Sequence, residues 1–369
     1  MSEQPIKIGI THGDINGISY EILLKAFNDK RLLELFTPII YGSSKSASYH
    51  RKVLNHTPVH FHIIQNVTDA ENGKINLLNC VQDEVRIVMG AASPEAGESA
   101  FIALDHAVGD LKTNRIDALV TLPISKEGIQ SESFNFPGHT EFLEDRFGEQ
   151  NDKALMIMAT DSLRIALATT HIPISEVSSQ LSQSLIVEKI KSLNHSLKRD
   201  FKVDIPRIAV LGLNPHAGEN GLLGKEEQEI IAPAIKICQN EDVFCAGPYA
   251  ADGFFGTGNY RRFDGILAMY HDQGLIPFKT IAMDSGVNFT AGLPVVRTSP
   301  DHGTGYDIVG KGLASEESFR QAIYMAIDVF RNRRDYDEAR SNPLPKLFFD
   351  RGKDEYLDLS KDGDGREQV

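Results

Sequence analysis

Short runs of β-branched and aliphatic residues alternate along the chain with longer stretches whose apolar positions recur every three or four residues. The short runs predict strands at residues 6–10, 38–41, 118–122, 155–159, 165–168, 208–211 and 266–269. The longer stretches predict amphipathic helices. Residues 99–111 set Ala100, Leu104, Ala107 and Leu111 on one stripe, and residues 185–197, 226–238 and 319–330 repeat that spacing. Strand–helix alternation of this kind predicts an α/β fold with a largely parallel sheet covered by helices on both faces. The runs 155–159 and 165–168, split by Asp161 and Ser162, predict an antiparallel hairpin added to that sheet. There is no internal repeat and no long linker. Residues 351–369 form a polar tail, with Lys361-Asp362-Gly363-Asp364-Gly365 at its heart, that cannot build a core and is assigned no function.

Length and charge sharpen this picture. At 369 residues the chain exceeds the size one hydrophobic core usually serves, which predicts two packed lobes. No apolar run reaches the roughly 18 residues of a membrane span. Residues 1–5 show no basic region followed by an apolar stretch, so no secretion signal is expected. Three widely spaced cysteines, Cys80, Cys238 and Cys245, suit reduced thiols in a cytoplasm and argue against a disulfide framework or a cysteine zinc site. The net charge of −13 argues against nucleic acid or an anionic membrane as partner. An anionic substrate would need Lys, Arg, His or a metal to reverse the sign locally.

Three apolar runs end in a histidine or in a short turn that contains one: Ala168-Thr169-Thr170-His171, Gly212-Leu213-Asn214-Pro215-His216, and Ala268-Met269-Tyr270-His271. Residues just past strand ends line the functional crevice of α/β folds. Three imidazoles there can meet on one divalent metal and leave positions open for substrate oxygens. A single histidine after a strand is ordinarily a hydrogen-bonded loop residue, so it is the threefold repetition that raises the metal reading to equal standing. The three can also come from different subunits. In Asn214-Pro215-His216-Ala217-Gly218-Glu219 the Pro and Gly predict a tight turn that holds the imidazole stiffly, the plain alternative being a loop that caps the helix near Lys225.

Candidate anion groups follow. Phe136-Pro137-Gly138-His139-Thr140-Glu141 precedes a predicted helix, with Thr140 as candidate N-cap and free amides suited to a carboxylate or phosphate. Lys279 and Arg297 lie in apolar or glycine-rich surroundings on either side of Gly286-Val287-Asn288, as clamps for phosphate or carboxylate would. No Gly-x-Gly-x-x-Gly follows a strand, so the Rossmann fingerprint is missing. Gly305-x4-Gly310-Lys311 has the outline of a phosphate loop, but Gly312 stands where Ser or Thr should hold magnesium. The wider stretch, Asp301-His302-Gly303-Thr304-Gly305-Tyr306-Asp307-Ile308-Val309-Gly310-Lys311-Gly312, resembles the adenine-side cofactor loop of isocitrate and isopropylmalate dehydrogenases.

From residue 6 to about residue 332 the chain resembles the 4-hydroxythreonine-4-phosphate dehydrogenase family of vitamin B6 biosynthesis. The blocks that carry the resemblance are Gly138-His139-Thr140-Glu141, Ala168-Thr169-Thr170-His171, Gly212-Leu213-Asn214-Pro215-His216-Ala217-Gly218-Glu219, Ala268-Met269-Tyr270-His271-Asp272-Gln273-Gly274, Arg297-Thr298-Ser299, and Asp301-His302-Gly303-Thr304. The resemblance implies two α/β/α lobes with a central cleft, as in isopropylmalate dehydrogenase. The lobes expected are residues 1–110 with 265–345, carrying the cofactor loop, and residues 111–264 on the metal and dimer side. It implies that His171, His216 and His271 bind one divalent metal (zinc, magnesium, manganese or cobalt) in a site shared across a homodimer. His139, Thr140, Lys279, Asn288 and Arg297 are implied to contact substrate. His302, Gly303, Thr304 and Asp307 are implied to hold NAD or NADP. Lys279 and Asp252 are both candidates to assist proton removal.

The implied reaction is oxidation of 4-phosphohydroxy-L-threonine at C3 with hydride passing to the nicotinamide, followed by loss of CO2 to leave 3-amino-2-oxopropyl phosphate. Phosphorylated threonate or erythronate is the neighbouring alternative. The family's first block usually reads Thr-Pro-Gly-Glu-Pro-Ala-Gly-Ile-Gly-Pro. Here Thr11-His12-Gly13-Asp14-Ile15-Asn16-Gly17-Ile18-Ser19-Tyr20 keeps the glycine turn and loses the prolines and one glycine. Two other classes compete. A metal-dependent phosphatase could recruit Asp272 and Glu219 to the same histidines, but it has no need of the 301–312 loop. A non-catalytic binding protein would not need the full set of ligand-type residues.

Overall fold

Among the described residues, twelve strands join into one sheet in the order β3-β4-β2-β1-β5-β12-β11-β6-β7-β10-β8-β9. The computed structural model describes residues 5–54, 58–81, 85–148, 153–282 and 284–342, so the tail at 351–369 lies outside the described residues. In chain order the elements are β1 (Lys7–Thr11), α1 (Ser19–Ala26), β2 (Thr37–Gly42), α2 (Ser44–Val53), β3 (Phe61–Ile64), β4 (Ile75–Asn79), α3 (Pro94–Lys112), β5 (Ala118–Thr121), α4 (His139–Phe147), β6 (Leu155–Ala159) and β7 (Arg164–Leu167). There follow α5 (Ile174–Gln180), α6 (Gln183–Arg199), β8 (Ile208–Leu211), α7 (Ala232–Asn240), β9 (Cys245–Tyr249), α8 (Ala251–Gly256), β10 (Gly265–Ala268), α9 (His271–Ala282), β11 (Val287–Ala291), β12 (Arg297–Pro300) and α10 (Glu317–Ser341).

Two parallel blocks make up most of the sheet. One runs from β3 to β12, the other from β7 to β9. Their inner strands are buried on both faces and so read as unbroken apolar runs. Antiparallel pairings at β12–β11, β11–β6 and β6–β7 join the blocks. The predicted hairpin is the last of these, closed by the bond from Thr160 N to the Leu163 carbonyl (2.8 Å). In this continuous sheet β5 pairs with β1, and β10 lies between β7 and β8.

The two faces of the sheet are covered differently. On one face, residues from both blocks (Ile8 and Val120; Ala166, Val210 and Leu267) join a single core with α1, α6, α7 and α10. On the other face the core is split. Tyr41 and Leu119 pack with α3 and α4, while Met158, Ile165 and Ala268 pack with α9. Cross-strand partners share a face, and Arg297 pairs with Leu119 while Asn288 pairs with Met158 and Ser299. These polar residues of β11 and β12 therefore occupy the gap between the two front cores. That gap is the expected central cleft.

Several local expectations need correction. The helix predicted at 99–111 starts earlier, because Ser93 Oγ accepts from Ala96 N and Pro94 occupies the first turn. The helix predicted at 226–238 opens as a π-turn over Glu227–Ile231 before α7. The strand periodicity did not mark β3, β4, β9, β11 or β12. The three cysteines are unpaired, and among the described residues no helix is long and apolar enough to cross a membrane.

Candidate active site in the interblock cleft

A cavity of about 310 Å³ opens where the front face is bare. Its floor carries Asn288, Arg297 and Ser299, its walls include Thr121, Lys126, Thr140 and Lys279, and His171, His271 and His302 stand at its rim.

Arg297 is buried to 3% exposure, and its guanidinium is held by hydroxyls alone: Nε and Nη2 donate to Thr121 Oγ1 (3.0 and 2.6 Å), Nη1 to Thr290 Oγ1 (3.1 Å). No carboxylate lies within ion-pair distance of it among the described residues. Burial pulls its pKa down to about 10, against the pull of Glu141, so it remains a cation near neutrality. An uncompensated buried charge is costly and is retained where an anion is to be bound. His139 stands beside it. Burial, and then the charge on Arg297, hold that imidazole well below its usual pKa and therefore neutral.

Buried polar atoms without partners mark the same place. His139 Nε2, Glu141 Oε2, Asn288 Oδ1 and His302 Nε2 all lack a hydrogen bond, and all four residues line this cavity. Native folds rarely leave such groups orphaned unless a ligand or water meets them. His302 is held neutral by burial, and its Nδ1 donates to the Gly303 carbonyl (3.0 Å), so its orphaned Nε2 is an acceptor.

α4 starts at His139, with Gly138 in extended conformation at its N-cap. Thr140 is thus inside the first turn and is not the cap that its residue type predicted. Gly138, His139, Thr140 and Glu141 still line the cavity at the end of the helix whose first-turn amides have no partner within the helix.

His171 and His271 are close because β7 and β10 are parallel neighbours that end at one level. The Ala268 and Met269 carbonyls accept from Ala168 N and Thr169 N, and Thr169 Oγ1 adds a bond to Met269 O (2.7 Å). The two ring centroids stand 6.0 Å apart. Each Nδ1 faces a carboxylate: His171 faces Glu141 Oε1 at 3.2 Å and His271 faces Asp272 Oδ1 at 2.6 Å. A carboxylate on Nδ1 fixes the tautomer that leaves Nε2 free as a metal ligand. The donor set therefore fits a divalent ion. Within one chain it is incomplete, since no group of three His, Cys, Asp or Glu side chains stands close enough to hold an ion among the described residues.

His216 follows β8, the next strand in the sheet, yet it is exposed and does not line the cavity. Its turn is unusual: His216, Ala217, Glu219 and Asn220 all have left-handed backbone, with φ of 53°, 50°, 42° and 56°. Each costs roughly 1 kcal/mol or more for a side chain with Cβ. Glu227 offsets this by accepting Leu213 N and Asn214 N at 2.7 Å each. Asp252 is exposed on α8, which packs beside that turn and also lies outside the cavity. Gln273 ties this region to the cleft by linking Met269 N to the Gly212 carbonyl.

Lys279, on α9, reaches Asp301 (3.2 Å from Nζ to Oδ1). Burial raises the pKa of Asp301. Of the cofactor-loop residues, His302 and Gly303 line the cavity. Thr304 is bound through its carbonyl to Ile18 N, and Asp307 is exposed with its carbonyl holding Lys311 Nζ at 2.6 Å. That bond engages the lysine a phosphate loop would use.

Sequence pattern did not mark Thr121 or Lys126 as cavity residues. Glu141 and Asp301 stood inside motifs without a role. Their only available signal was position: Thr121 ends β5 and Lys126 lies in the loop after it, while Glu141 and Asp301 stand within two residues of assigned histidines.

Residues 34–326 match the family model of the pyridoxal phosphate biosynthetic protein PdxA. The chain belongs to the PdxA family. It is 56% identical over 354 residues to the 4-hydroxythreonine-4-phosphate dehydrogenase of Bacteroides thetaiotaomicron, covering 96% of this chain and 97% of that one. It is 37% identical to a protein of Oceanobacillus iheyensis named for D-threonate 4-phosphate dehydrogenase, over 89% of this chain and 99% of that one. Among solved structures, the Klebsiella pneumoniae 4-hydroxythreonine-4-phosphate dehydrogenase superposes with a TM-score of 0.74 at 32% identity, covering 89% of this PdxA-family chain and 100% of its own. The fold likeness extends to isocitrate dehydrogenase from Methylococcus capsulatus, with a TM-score of 0.50 at 13% identity over 90% of this chain and 89% of that one.

Proposed function

We propose that this chain is a metal-dependent NAD(P) dehydrogenase of vitamin B6 synthesis. It oxidises 4-phosphohydroxy-L-threonine at C3 and releases CO2 to give 3-amino-2-oxopropyl phosphate. The observation that carries this reading is the convergence of four orphaned polar atoms and an uncompensated Arg297 on one cavity. The substrate's two anionic ends and its polar middle satisfy those groups together.

On this reading Arg297, with the first-turn amides of α4, holds an anionic end, while Asn288 and neutral His139 orient polar substituents. Bound at His171, His271 and His216, a divalent metal would supply Lewis-acid stabilisation of negative charge on the C3 oxygen, while dinucleotide at His302, Gly303, Thr304 and Asp307 would accept the hydride. Within one chain Lys279 is the base the cavity supplies, since it lines the cavity and Asp252 does not. It takes the C3 hydroxyl proton as the carbon–hydrogen bond is broken. The ketone so formed is β to the carboxylate, whose carbon–carbon bond then breaks with its electron pair drawn toward the ketone. Lys279 returns the proton to the carbon left behind, and Asp301 at 3.2 Å keeps its ammonium in place between the two steps.

The exposed, strained His216 turn and the exposed Asp252 beside it support a homodimer in which one chain's turn completes the other's two-histidine half-site. A cytoplasmic location suits the reduced cysteines. The relative named for D-threonate 4-phosphate favours a second reading in which the same machinery acts on a phosphorylated threonate.

The test is to strip the full chain with chelator and follow NAD(P) reduction as divalent metals are restored, offering 4-phosphohydroxy-L-threonine, phosphorylated threonate and phosphorylated erythronate in turn. Metal-restored turnover of the first, lost in His216→Ala, is the expected result. Turnover only with the others moves the substrate and keeps the mechanism. No turnover with any of the three under either nucleotide overturns the dehydrogenase reading.

A further inference from the structure

The N-terminal turn departs from its family's usual block, and none of its residues lines the cavity. Residues 11–20 are nevertheless buried throughout, including polar Thr11, His12, Asp14, Asn16 and Ser19. Polar groups so placed cost stability unless they bind something. Here His12 bonds Tyr20 and Ser99, while Asp14 and the backbone of the turn bind the two loops that flank the cavity.

On one side Asp14 N donates to the Pro123 carbonyl (2.8 Å) in the cavity wall. Gly13, at φ +62°, lies so near that carbonyl that a Cβ would collide with it. On the other side Ile18 N donates to Thr304 O (2.9 Å), and a Cβ on Gly17 would stand 2.5 Å from the same oxygen. The Asp14 carboxylate adds a second tie on the cofactor-loop side, while its own N–H holds the wall. Oδ1 accepts from Asn16 N at 2.8 Å, and Oδ2 accepts from the Tyr306 hydroxyl at 2.5 Å. Asn16 anchors the turn in its lobe, with Oδ1 accepting from Val88 N (2.8 Å) and Nδ2 donating to Ala91 O (2.9 Å) and Ser93 Oγ (3.2 Å). Burial first, and then the bond to Asp14, push the Tyr306 pKa up to about 12, so its hydroxyl stays a donor.

We propose that Asp14 and Tyr306 are positioning residues for the dinucleotide: their bond fixes the 301–312 loop against the 122–126 wall, so that the loop is ordered before the dinucleotide arrives. This rests on reading 301–312 as the cofactor loop. Pre-ordering shows in dinucleotide affinity, not in the chemical step or in binding of the phosphorylated substrate.

The experiment compares the full chain with Tyr306→Phe, Asp14→Asn and the double variant. NADH and NADPH binding is titrated by nucleotide fluorescence without substrate, and KM for each reactant is measured alongside kcat. Each single change should weaken dinucleotide binding about tenfold, the worth of one hydrogen bond to a charged group. The double variant should be no weaker than the worse single, while kcat at saturating dinucleotide and the substrate KM stay within about twofold. Tyr306→Phe deletes one oxygen and carries the test alone if Asp14→Asn does not fold. Unchanged affinity in Tyr306→Phe overturns the proposal, as does an equal loss in substrate KM and kcat, which would mean general damage. A wild-type chain that binds neither nucleotide overturns the cofactor reading itself, before any variant is compared.

Discussion

The Arg297 pocket and the His216 turn belong to one proposed active site and are built in opposite ways. Arg297 is sunk between β5 and β11, its five donors partly held by two threonine hydroxyls and its charge unmatched. His216 is out in solvent on a run of left-handed backbone that Glu227 holds in place. The first stores its cost as a buried charge, the second as backbone strain. Both are worth keeping only if something arrives to use them. For Arg297 that is an anion entering from solvent, and for His216, on the shared-site reading, a second copy of the chain.

The largest expected effect lies on the buried side. Arg297→Gln should cut kcat/KM roughly thousandfold, because a desolvated cation that meets an anion is worth about 4 kcal/mol. Steady-state kinetics checks it, and a loss below about tenfold would mean that the anion binds elsewhere. Acid is the next lever. His12, buried behind the cleft, titrates at about 4 in the fold, mainly through desolvation, against 6.5 for the free side chain. Between those values the unfolded chain takes up a proton that the fold refuses, so stability falls as pH drops through that window and levels off below it. The full span is worth about 3 kcal/mol. Urea midpoints at about pH 7 and about pH 5 should converge in His12→Gln relative to the parent chain.

Two smaller effects test how the sides meet. Glu141→Gln weakens the partner that orients His171 and should lower metal affinity about tenfold to a hundredfold, read by competition with a chelator. Metal bound as tightly as before would show that the Glu141–His171 contact plays no part. Finally, His216→Ala and His271→Ala chains mixed after reversible unfolding should recover about a quarter of parent activity, since half the dimers are mixed and each regains one intact site. No recovery would confine each site to its own chain.

Legibility in the sequence followed the same division. Seven strands were readable because both their faces, or one whole face, are buried, and burial writes an apolar run. β11 and β12 were not, because Asn288, Arg297 and Ser299 face a cleft where no helix covers the sheet, and their polar character breaks the alternation. The histidines were legible as strand-end residues, and the adjacency of β7, β10 and β8 explains why all three appear after similar runs. Whether their side chains converge was not legible, because a left-handed turn re-aims His216 without altering its spacing. Thr140 misled for a related reason: its residue type suits a cap, but Gly138 in extended conformation caps the helix two residues earlier.

The pairing of β5 with β12 sets a timetable for synthesis. β5 ends at Thr121, and the strand that covers its open edge begins only at Arg297. On the ribosome the first block would hold an apolar edge, Ala118-Leu119-Val120-Thr121, without its neighbour while the whole second block is made. Arg297 arrives on that last strand and finds Thr121 waiting. The floor of the cleft is therefore the last part of the sheet to close, and a nascent chain stalled before residue 297 is an aggregation hazard with no anion site at all.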